Sequence, residues 1–396
     1  MILHWITFGL SAAAIVLAGI RLAPYGEALG KHTGIGQGWI GLLFLATLTS
    51  IPELTTTVTG AAIGAPNIAI GNAFGSNLFN VVIIAVVDIL LLRRGPFLLK
   101  VRSYHSLSGG IAILLTLFGA LGIILSSEAT WLGISPISWL ILIGYALGVW
   151  LLFHAEKAEG ASEEPSEKTP KLSAAVLGFA VCAAVIVVSG FFLIRASKEI
   201  AEATALSASF MGAILVAIVT SLPELATSIG ALRIRAYDMI IGNLFGSNMF
   251  NILTIFFADA AFRRGAIYSG LGAGATDQMI VALCSILLTV VVLIALAARS
   301  RKRVLGMGLD ALVLLAAYVG VTALINRYLI MMVPGPNPSA WAASTYSFSR
   351  MDSTVPRTVR AYSAHPVIAM TMIIFPRPCP NMTIKHMATI IRGRES

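Results

Sequence analysis

Two short stretches of this 396-residue chain are nearly identical: Thr49–Leu54 has the sequence TSIPEL, and Thr220–Leu225 has the sequence TSLPEL. A second pair lies at the same offset of 171 residues, with GNAFGSNLFN at Gly71–Asn80 and GNLFGSNMFN at Gly242–Asn251. The residues between these stretches align without a gap. A match of this length predicts an internal duplication.

The composition places the duplicated stretches in a membrane protein. Of all residues, 57% are hydrophobic and 11% are charged, whereas a soluble domain is about 45–50% apolar and about 25% charged. This excludes a cytosolic enzyme and a secreted disulfide scaffold. Three cysteines without paired spacing predict neither a disulfide framework nor a zinc site. The net charge of +9 lies in short loops and near the C-terminus, which indicates topology signals and no nucleic-acid partner.

Ten apolar stretches are long enough to cross a bilayer, which takes about 20 residues. They lie near residues 2–23, 38–63, 67–92, 107–126, 131–153, 172–194, 207–232, 237–262, 278–298 and 305–330. The sequence therefore predicts an all-α polytopic membrane protein with ten transmembrane helices. The first stretch lacks a basic n-region and an obvious cleavage site, so we expect a retained helix and not a signal peptide.

The basic residues are distributed unevenly between the two sides of the predicted spans. Loops after odd-numbered spans carry 15 Lys and Arg residues, and loops after even-numbered spans carry 4. The positive-inside rule places both termini outside the cytoplasm. Each half holds five spans, an odd number, so the second copy should enter the membrane inverted relative to the first.

The predicted organisation has four parts. They are a five-helix repeat at 1–153, a cytoplasmic linker at 154–171, an inverted five-helix repeat at 172–333 and a tail at 334–396. The linker is polar, contains two prolines and is too short for a regulatory domain. The tail is rich in Pro, Ser and Met and has no helical period, so we expect it to be disordered and assign it no function.

Pro52 and Pro223 predict breaks in the second and seventh spans. A proline lacks an N–H group and clashes with the carbonyl four residues earlier, which leaves carbonyls near Leu48 and Val219 without helical partners. Such carbonyls at membrane depth require protein, water or an ion. A packing kink would explain a single proline, but recurrence with Thr-Ser before it and Glu after it favours an ion site.

Glu53 and Glu224 lie near the middle of these spans, where an ionised carboxylate costs at least about 2.5–3.5 kcal/mol. If pseudo-twofold symmetry brings them together, they repel each other unless a cation lies between them or one binds a proton. Neither motif contains His or Cys. Oxygen ligands alone favour sodium, calcium or magnesium over zinc or copper.

The third and eighth spans each carry a polar stripe of residues spaced four apart, which lie on one helix face. These residues are Asn72, Ser76, Asn80, Asn243, Ser247 and Asn251. Their oxygens can coordinate a cation without adding charge. We favour ion contact for Ser76, Asn80, Ser247 and Asn251. Hydrogen bonding between helices is an equal alternative for Asn72, Asn77, Asn243 and Asn248.

Two other features match at the repeat offset. Glycine pairs four residues apart predict close helix approach; they are Gly71 with Gly75 and Gly242 with Gly246. Asp88 and Asp259 each precede an Arg-Arg pair near a predicted membrane face. We interpret these aspartates as interface or salt-bridge residues.

With these motifs, residues 1–330 resemble the cation/calcium exchanger superfamily, specifically the prokaryotic sodium/calcium exchangers with two alpha repeats. The resemblance implies two inverted five-helix halves with ion sites between helices two, three, seven and eight. It also implies sodium/calcium antiport by alternating access, without enzymatic activity or a cofactor. The expected partners are Na⁺, Ca²⁺ and the lipid bilayer.

The resemblance assigns roles to individual residues. Glu53 and Glu224 would be carboxylate ligands shared by calcium and sodium. Hydroxyl or carbonyl oxygens would come from Thr49, Thr220, Ser50, Ser76, Ser221 and Ser247. Carbonyls of Ala46 and Ala217 would join the outer and inner sodium sites, and the central site would be lined by Asn80 and Asn251.

Two alternatives remain open at this point. Some family members have Asp where this chain has Asn251, so only two carboxylates are expected here. The missing third carboxylate leaves open a proton-coupled calcium (or other cation) exchanger of the same fold. An intramembrane enzyme is disfavoured because the sequence has no nucleophile-base set, no H-E-x-x-H motif and no paired catalytic aspartates.

Overall fold

The structure is a computed structural model, and it describes residues 2–91, 97–158, 169–203, 220–299, 303–304, 307–308 and 312–320. The helices are α1 Ile2–Thr33, α2 Gln37–Trp39, α3 Ala46–Thr49, α4 Ile51–Ala62, α5 Pro66–Leu90, α6 His105–Leu125, α7 Pro136–Ala158, α8 Leu172–Ala203, α9 Leu222–Arg233, α10 Tyr237–Ala261 and α11 Ala275–Ala298. A π-helix, Ile40–Leu45, joins α2 to α3, and 3₁₀ turns lie at Leu98–Lys100 and Ser269–Gly274. Residues 312–320 are also helical, and strands β1 Arg303–Val304 and β2 Met307–Gly308 pair antiparallel.

Within the described ranges, seven helices are long and apolar enough to cross a membrane: α1, α5, α6, α7, α8, α10 and α11. The bent pair Gln37–Thr49 and Ile51–Ala62 brings the count to eight. The helical membrane architecture is therefore confirmed. The count of ten stays a prediction, because parts of the seventh and tenth spans lie outside the described residues. Ala217 and the tail at 334–396 also lie outside them.

Two helices continue beyond the predicted membrane spans. Helix α1 continues through Pro24 to Thr33, because polar residues extend it beyond the apolar core, with Glu27 and Lys31 paired one turn apart at 3.3 Å. Helix α7 ends at Ala158, so residues 154–158, which were predicted to begin the linker, are helical. One residue in this segment, Glu156, is buried.

Contacts between loops show which helix ends share a face. The Arg102 N–H donates to Asp238 Oδ1 at 2.8 Å, and the Arg299 guanidinium lies 3.4 Å from the Val101 carbonyl. The loops after α5, α9 and α11 therefore meet on one side, which we call the linker face because α7 and α8 are also joined there. On the opposite face, the Ser135 N–H donates to Asp259 at 2.8 Å. Helix α5 thus ends on the linker face, whereas its repeat mate α10 begins there.

Helices α5 and α10 form the centre of the bundle. In their apolar windows, 78% and 89% of residues are buried, compared with 22% for α7, which faces outward. A Cβ on Gly242 or Gly246 would lie 2.3 Å from a carbonyl oxygen of Gly38 or Leu42, respectively. The predicted close approach is therefore confirmed for the second glycine pair, which lets α10 pack directly on the second span.

We expect the linker face to be cytoplasmic. In a background with Cys182, Cys284 and Cys379 replaced by Ala, Lys171→Cys should react with an impermeant maleimide only in inside-out vesicles. Glu128→Cys, on the opposite face, should react in intact cells. Both native residues are exposed, so access through the membrane is the variable measured. The reverse labelling pattern would show that the positive-inside count misplaces the termini.

Candidate cation site

The second and seventh spans break at equivalent serines. Ser50 has φ −93° and ψ 10°, and Ser221 has φ −98° and ψ 4°. The break bends the second span by 47° between Thr49 and Ile51. In both copies the proline becomes the second residue of the new helix, where its missing N–H is not needed. The break predicted from Pro52 is confirmed, and at Pro223 the structure describes the non-helical Ser221 and the helix after it, while residues 204–219 lie outside the described ranges.

Both mid-span glutamates begin a new helix. Glu53 lies in the first turn of α4 and Glu224 in the first turn of α9, and each is only 1% exposed. The free N–H groups and dipole of a helix N-terminus favour a negative charge at this position. The two charges are close enough to repel each other. Each carboxylate also has one oxygen, Oε2, with no hydrogen-bond partner in the described part of the chain.

Side chains from the two repeats meet at the breaks. The Ser50 hydroxyl donates to Glu224 Oε1 at 3.2 Å. The Thr49 hydroxyl lies 3.4 Å from the Ser247 hydroxyl and 3.5 Å from Asn243 Oδ1 on α10. These contacts bring the first TSIPEL motif against both motifs of the second repeat.

Amides in the polar stripes fix the broken helices. Asn72 Nδ2 donates to the Glu53 carbonyl at 3.1 Å and to the Thr57 hydroxyl at 2.9 Å. Asn243 Nδ2 donates to the Thr227 hydroxyl at 3.2 Å. The structure thus adds Thr57 and Thr227, which the sequence analysis did not select. Their signal was helical spacing, four residues after Glu53 and three after Glu224.

A second group of amides joins α5 to α10. Asn77 Nδ2 donates to the Asn248 carbonyl at 3.1 Å, and Asn80 Nδ2 donates to Asn248 Oδ1 at 3.1 Å. Asn80 Oδ1 and both polar atoms of Asn251 have no partner among the described residues. Equivalent asparagines of the two repeats therefore make different hydrogen bonds. Asn77 and Asn248 form hydrogen bonds between α5 and α10.

The remaining predicted ligands that the structure describes are also buried. Ser76, Thr220, Ser221 and Ser247 are all at most 5% exposed. The Ala46 carbonyl accepts hydrogen bonds from the Ser50 N–H at 3.1 Å and the Thr49 hydroxyl at 3.3 Å. An ion at Ala46 would have to displace the Thr49 hydroxyl.

The chemistry of this layer is oxygen-only. Its unpartnered oxygens include Glu53 Oε2, Glu224 Oε2, Asn80 Oδ1 and Asn251 Oδ1, and Asn77 Oδ1, Ser228 Oγ and the Asn251 Nδ2 amide also have no partner among the described residues. Leaving a buried polar group unpaired costs about 1–3 kcal/mol, and more for a charged one. Across the described ranges, no group of three or more His, Cys, Asp and Glu could hold a metal. Carboxylate and neutral oxygens of this kind are the ligands that hard cations such as calcium prefer.

The repeat-matched aspartates fix loops outside this layer. Asp88 accepts the Phe97 N–H at 2.6 Å. Asp259 accepts the Ile267 and Ser135 N–H groups, both at 2.8 Å, and the Ser138 hydroxyl at 2.6 Å. Their interpretation as interface or salt-bridge residues stays a prediction, and the structure shows loop N–H groups as partners of both.

Comparison with known proteins identifies relatives over most of the chain. The sequence profile of a family described as sodium/calcium exchanger protein matches residues 3–154 and 174–326. The putative antiporter CaxA of Alkalimonas amylolytica is 30% identical over 278 residues, covering 65% of this chain and 83% of that protein. The inner membrane protein YrbG of Escherichia coli is 27% identical over 279 residues, 65% and 82% of the two chains.

A solved structure of the sodium-calcium exchanger NCX_Mj superposes with a TM-score of 0.63 at 20% identity, covering 82% of this chain and 98% of that one. At this identity the match shows a common fold.

Proposed function

Because the chain belongs to the sodium/calcium exchanger protein family, we propose that it is a secondary active antiporter that exchanges sodium for calcium. Exchange occurs by alternating access at a midplane site between two inverted five-helix repeats. The observation that carries this proposal is the pair of buried carboxylates, Glu53 and Glu224. Each begins a half-helix, and each directs an unpartnered oxygen into a layer of neutral oxygens.

The proposed ligands follow from this layer. Glu53 and Glu224 bind both cations. Neutral oxygens are supplied by Thr49, Ser50, Ala46, Ser76, Asn80, Thr220, Ser221, Ala217, Ser247 and Asn251. Together they provide the many oxygen ligands that calcium requires. We place the protein in a bacterial inner membrane with both termini outside the cytoplasm.

Electrostatics explains why the two cations compete. The empty site carries two negative charges in a layer that excludes water, so it is strongly unfavourable. One calcium ion neutralises these two charges, and so do two sodium ions, whereas a third sodium ion would leave the site with one positive charge. Binding calcium and sodium at the same time would leave an excess positive charge in the site. One kind of cation therefore leaves when the other binds.

Purified protein in vesicles provides the test. With sodium inside and calcium outside, we expect calcium uptake that stops when external sodium removes the gradient. A pH gradient imposed without sodium should drive no uptake. Calcium flux indifferent to the sodium gradient would contradict the proposal.

A proton-coupled exchanger of the same fold is the second candidate. It is favoured by one observation: with Asn251 in place of a third carboxylate, the site has two buried glutamates, and uptake of a proton by one of them would relieve the repulsion between their charges. Calcium uptake driven by the pH gradient in sodium-free vesicles would select this candidate over the first.

A further inference from the structure

A buried carboxylate outside the cation site holds the beginning of the second span. Glu156, near the end of α7, is 5% exposed. Its Oε1 accepts the Gly38 N–H at 2.9 Å and the Tyr104 hydroxyl at 2.9 Å. The Trp39 N–H lies 3.0 Å from Oε2 and 3.2 Å from Oε1. We call this group, with the neighbouring Gly36, the Glu156 latch.

The two glycines of the latch make room for the carboxylate. A Cβ on Gly36 would lie 2.2 Å from Glu156 Oε1, and a Cβ on Gly38 would lie 1.7 Å from the Tyr104 hydroxyl. No other residue type fits at either position without displacing the carboxylate or the phenol. The GQG sequence at 36–38 therefore matches the carboxylate in shape as well as in hydrogen bonding.

The latch is linked to the cation site through one continuous helical run. The second span starts at Gln37 and runs through the π-helix to Thr49, next to Ser50 and Glu53. Gly41 packs on α10 so closely that a Cβ would lie 2.3 Å from the Met239 carbonyl. A shift at the start of the run therefore reaches Thr49 and Ser50.

The second repeat does not carry the same residues at the positions that correspond to the latch by the repeat offset. At the offset of 171 residues, Ser207 and Ser209 replace Gly36 and Gly38, and Arg327 replaces Glu156. Inversion would place an equivalent latch on the opposite face, and the sequence does not encode one there.

The charged residues near the latch contact Asp238, and Glu156 accepts the hydrogen bonds from Gly38, Trp39 and Tyr104. Arg102 in the loop before α6 and His105 at the start of α6 each lie 3.4 Å from Asp238, so they face this aspartate at the start of α10. Burial, together with the negative charges of Glu156 and Asp238, raises the pKa of Tyr104, so its hydroxyl keeps its proton and donates.

We propose that Glu156 is a positioning residue that latches the second span on the linker face and disfavours opening of the cation site toward that face. This inference rests on the proposed antiport function. Glu156 does not touch the ion. It acts through the second span. In the proposed mechanism, the end of this span at Gln37 separates from α7 when an ion enters from the linker face.

The test is the ratio of half-saturating calcium concentrations at the linker face and at the opposite face. In a two-state carrier this ratio is proportional to the equilibrium constant between the two orientations. Vesicles of both orientations, identified by the maleimide labelling described above, give the two values. Glu156→Gln keeps the size of the side chain but presents an NH₂ group to N–H donors. We expect it to lower the ratio about tenfold, as loss of a charged acceptor predicts.

Two further variants keep the inference testable if Glu156→Gln does not insert. Gly36→Ala displaces the carboxylate without removing its charge, and Tyr104→Phe removes one donor. Both should lower the ratio, Tyr104→Phe by less. The exposed Glu128→Gln on the opposite face is the matched control and should leave the ratio unchanged. If the variants insert into the membrane and the ratio is unchanged, the latch is overturned. The same holds if calcium affinity falls equally at both faces. Absence of exchange in the unmodified protein would instead overturn the proposed function.

Discussion

Replacing Glu53 or Glu224 with glutamine is expected to abolish sodium-driven calcium uptake. Glutamine keeps the shape of the side chain but removes one of the two charges, so bound calcium leaves an excess positive charge in a buried layer. A hydrogen-bonded charged ligand contributes about 1.5–3 kcal/mol, which corresponds to roughly 10–150-fold in affinity. Because the same carboxylate is proposed to bind both cations, flux should fall by about 100-fold or more in vesicles.

Binding can be measured apart from transport. Calcium should raise the unfolding temperature of the unmodified protein in detergent, because a ligand that binds only the folded state stabilises it. This stabilisation should be lost in Glu53→Gln and Glu224→Gln and kept in Glu128→Gln. Either glutamine variant retaining normal flux and calcium stabilisation would show that the ion lies elsewhere.

The second large effect is expected from Gly246→Val. A Cβ at this position would lie 2.3 Å from the Leu42 carbonyl oxygen and 2.7 Å from the Leu42 Cα. Both atoms belong to the backbone, so no rotamer change relieves the overlap. Overpacking costs typically about 1–3 kcal/mol, and we expect the upper end of this range or more because helix α10 must move away from the second span.

The measurement is the unfolding temperature and the monodisperse fraction of detergent-solubilised protein. Gly110→Val is the matched control, because no atom lies within 4 Å of a Cβ built at Gly110 on α6. It should behave like the unmodified protein. A Gly246→Val protein as stable as this control would contradict the close contact between α10 and the second span.

The sequence was most informative at residues that are energetically costly within a membrane span, such as carboxylates and prolines. Glu53 and Glu224 could be selected because a mid-membrane carboxylate requires a partner, and Pro52 and Pro223 because a proline has a local and known effect on a helix. Each of these residues also recurs at the equivalent position of the second repeat, which supports the same interpretation twice. These residues required no knowledge of distant contacts.

Residues defined by distant contacts could not be predicted in this way. Glu156 lies in a stretch with the polar composition of a linker, and its partners are 52 to 118 residues away along the chain. Asn77 and Asn248 have identical motif surroundings, yet only Asn248 accepts from the other helix with its side chain. A sequence repeat fixes residue types, whereas these bonds depend on how the two copies pack.

The position of the break at Ser50 has an electrical consequence. It divides the second span into Gln37–Thr49 and Ile51–Ala62, segments of similar length at about 1.5 Å per residue. An ion at Glu53 therefore lies about halfway across the membrane voltage. Since a full crossing is worth about 2.3 kcal/mol per charge at 100 mV, each entry step carries about 1 kcal/mol per charge. The resting voltage of a cell would thus act on ion binding from both sides and not on a single step.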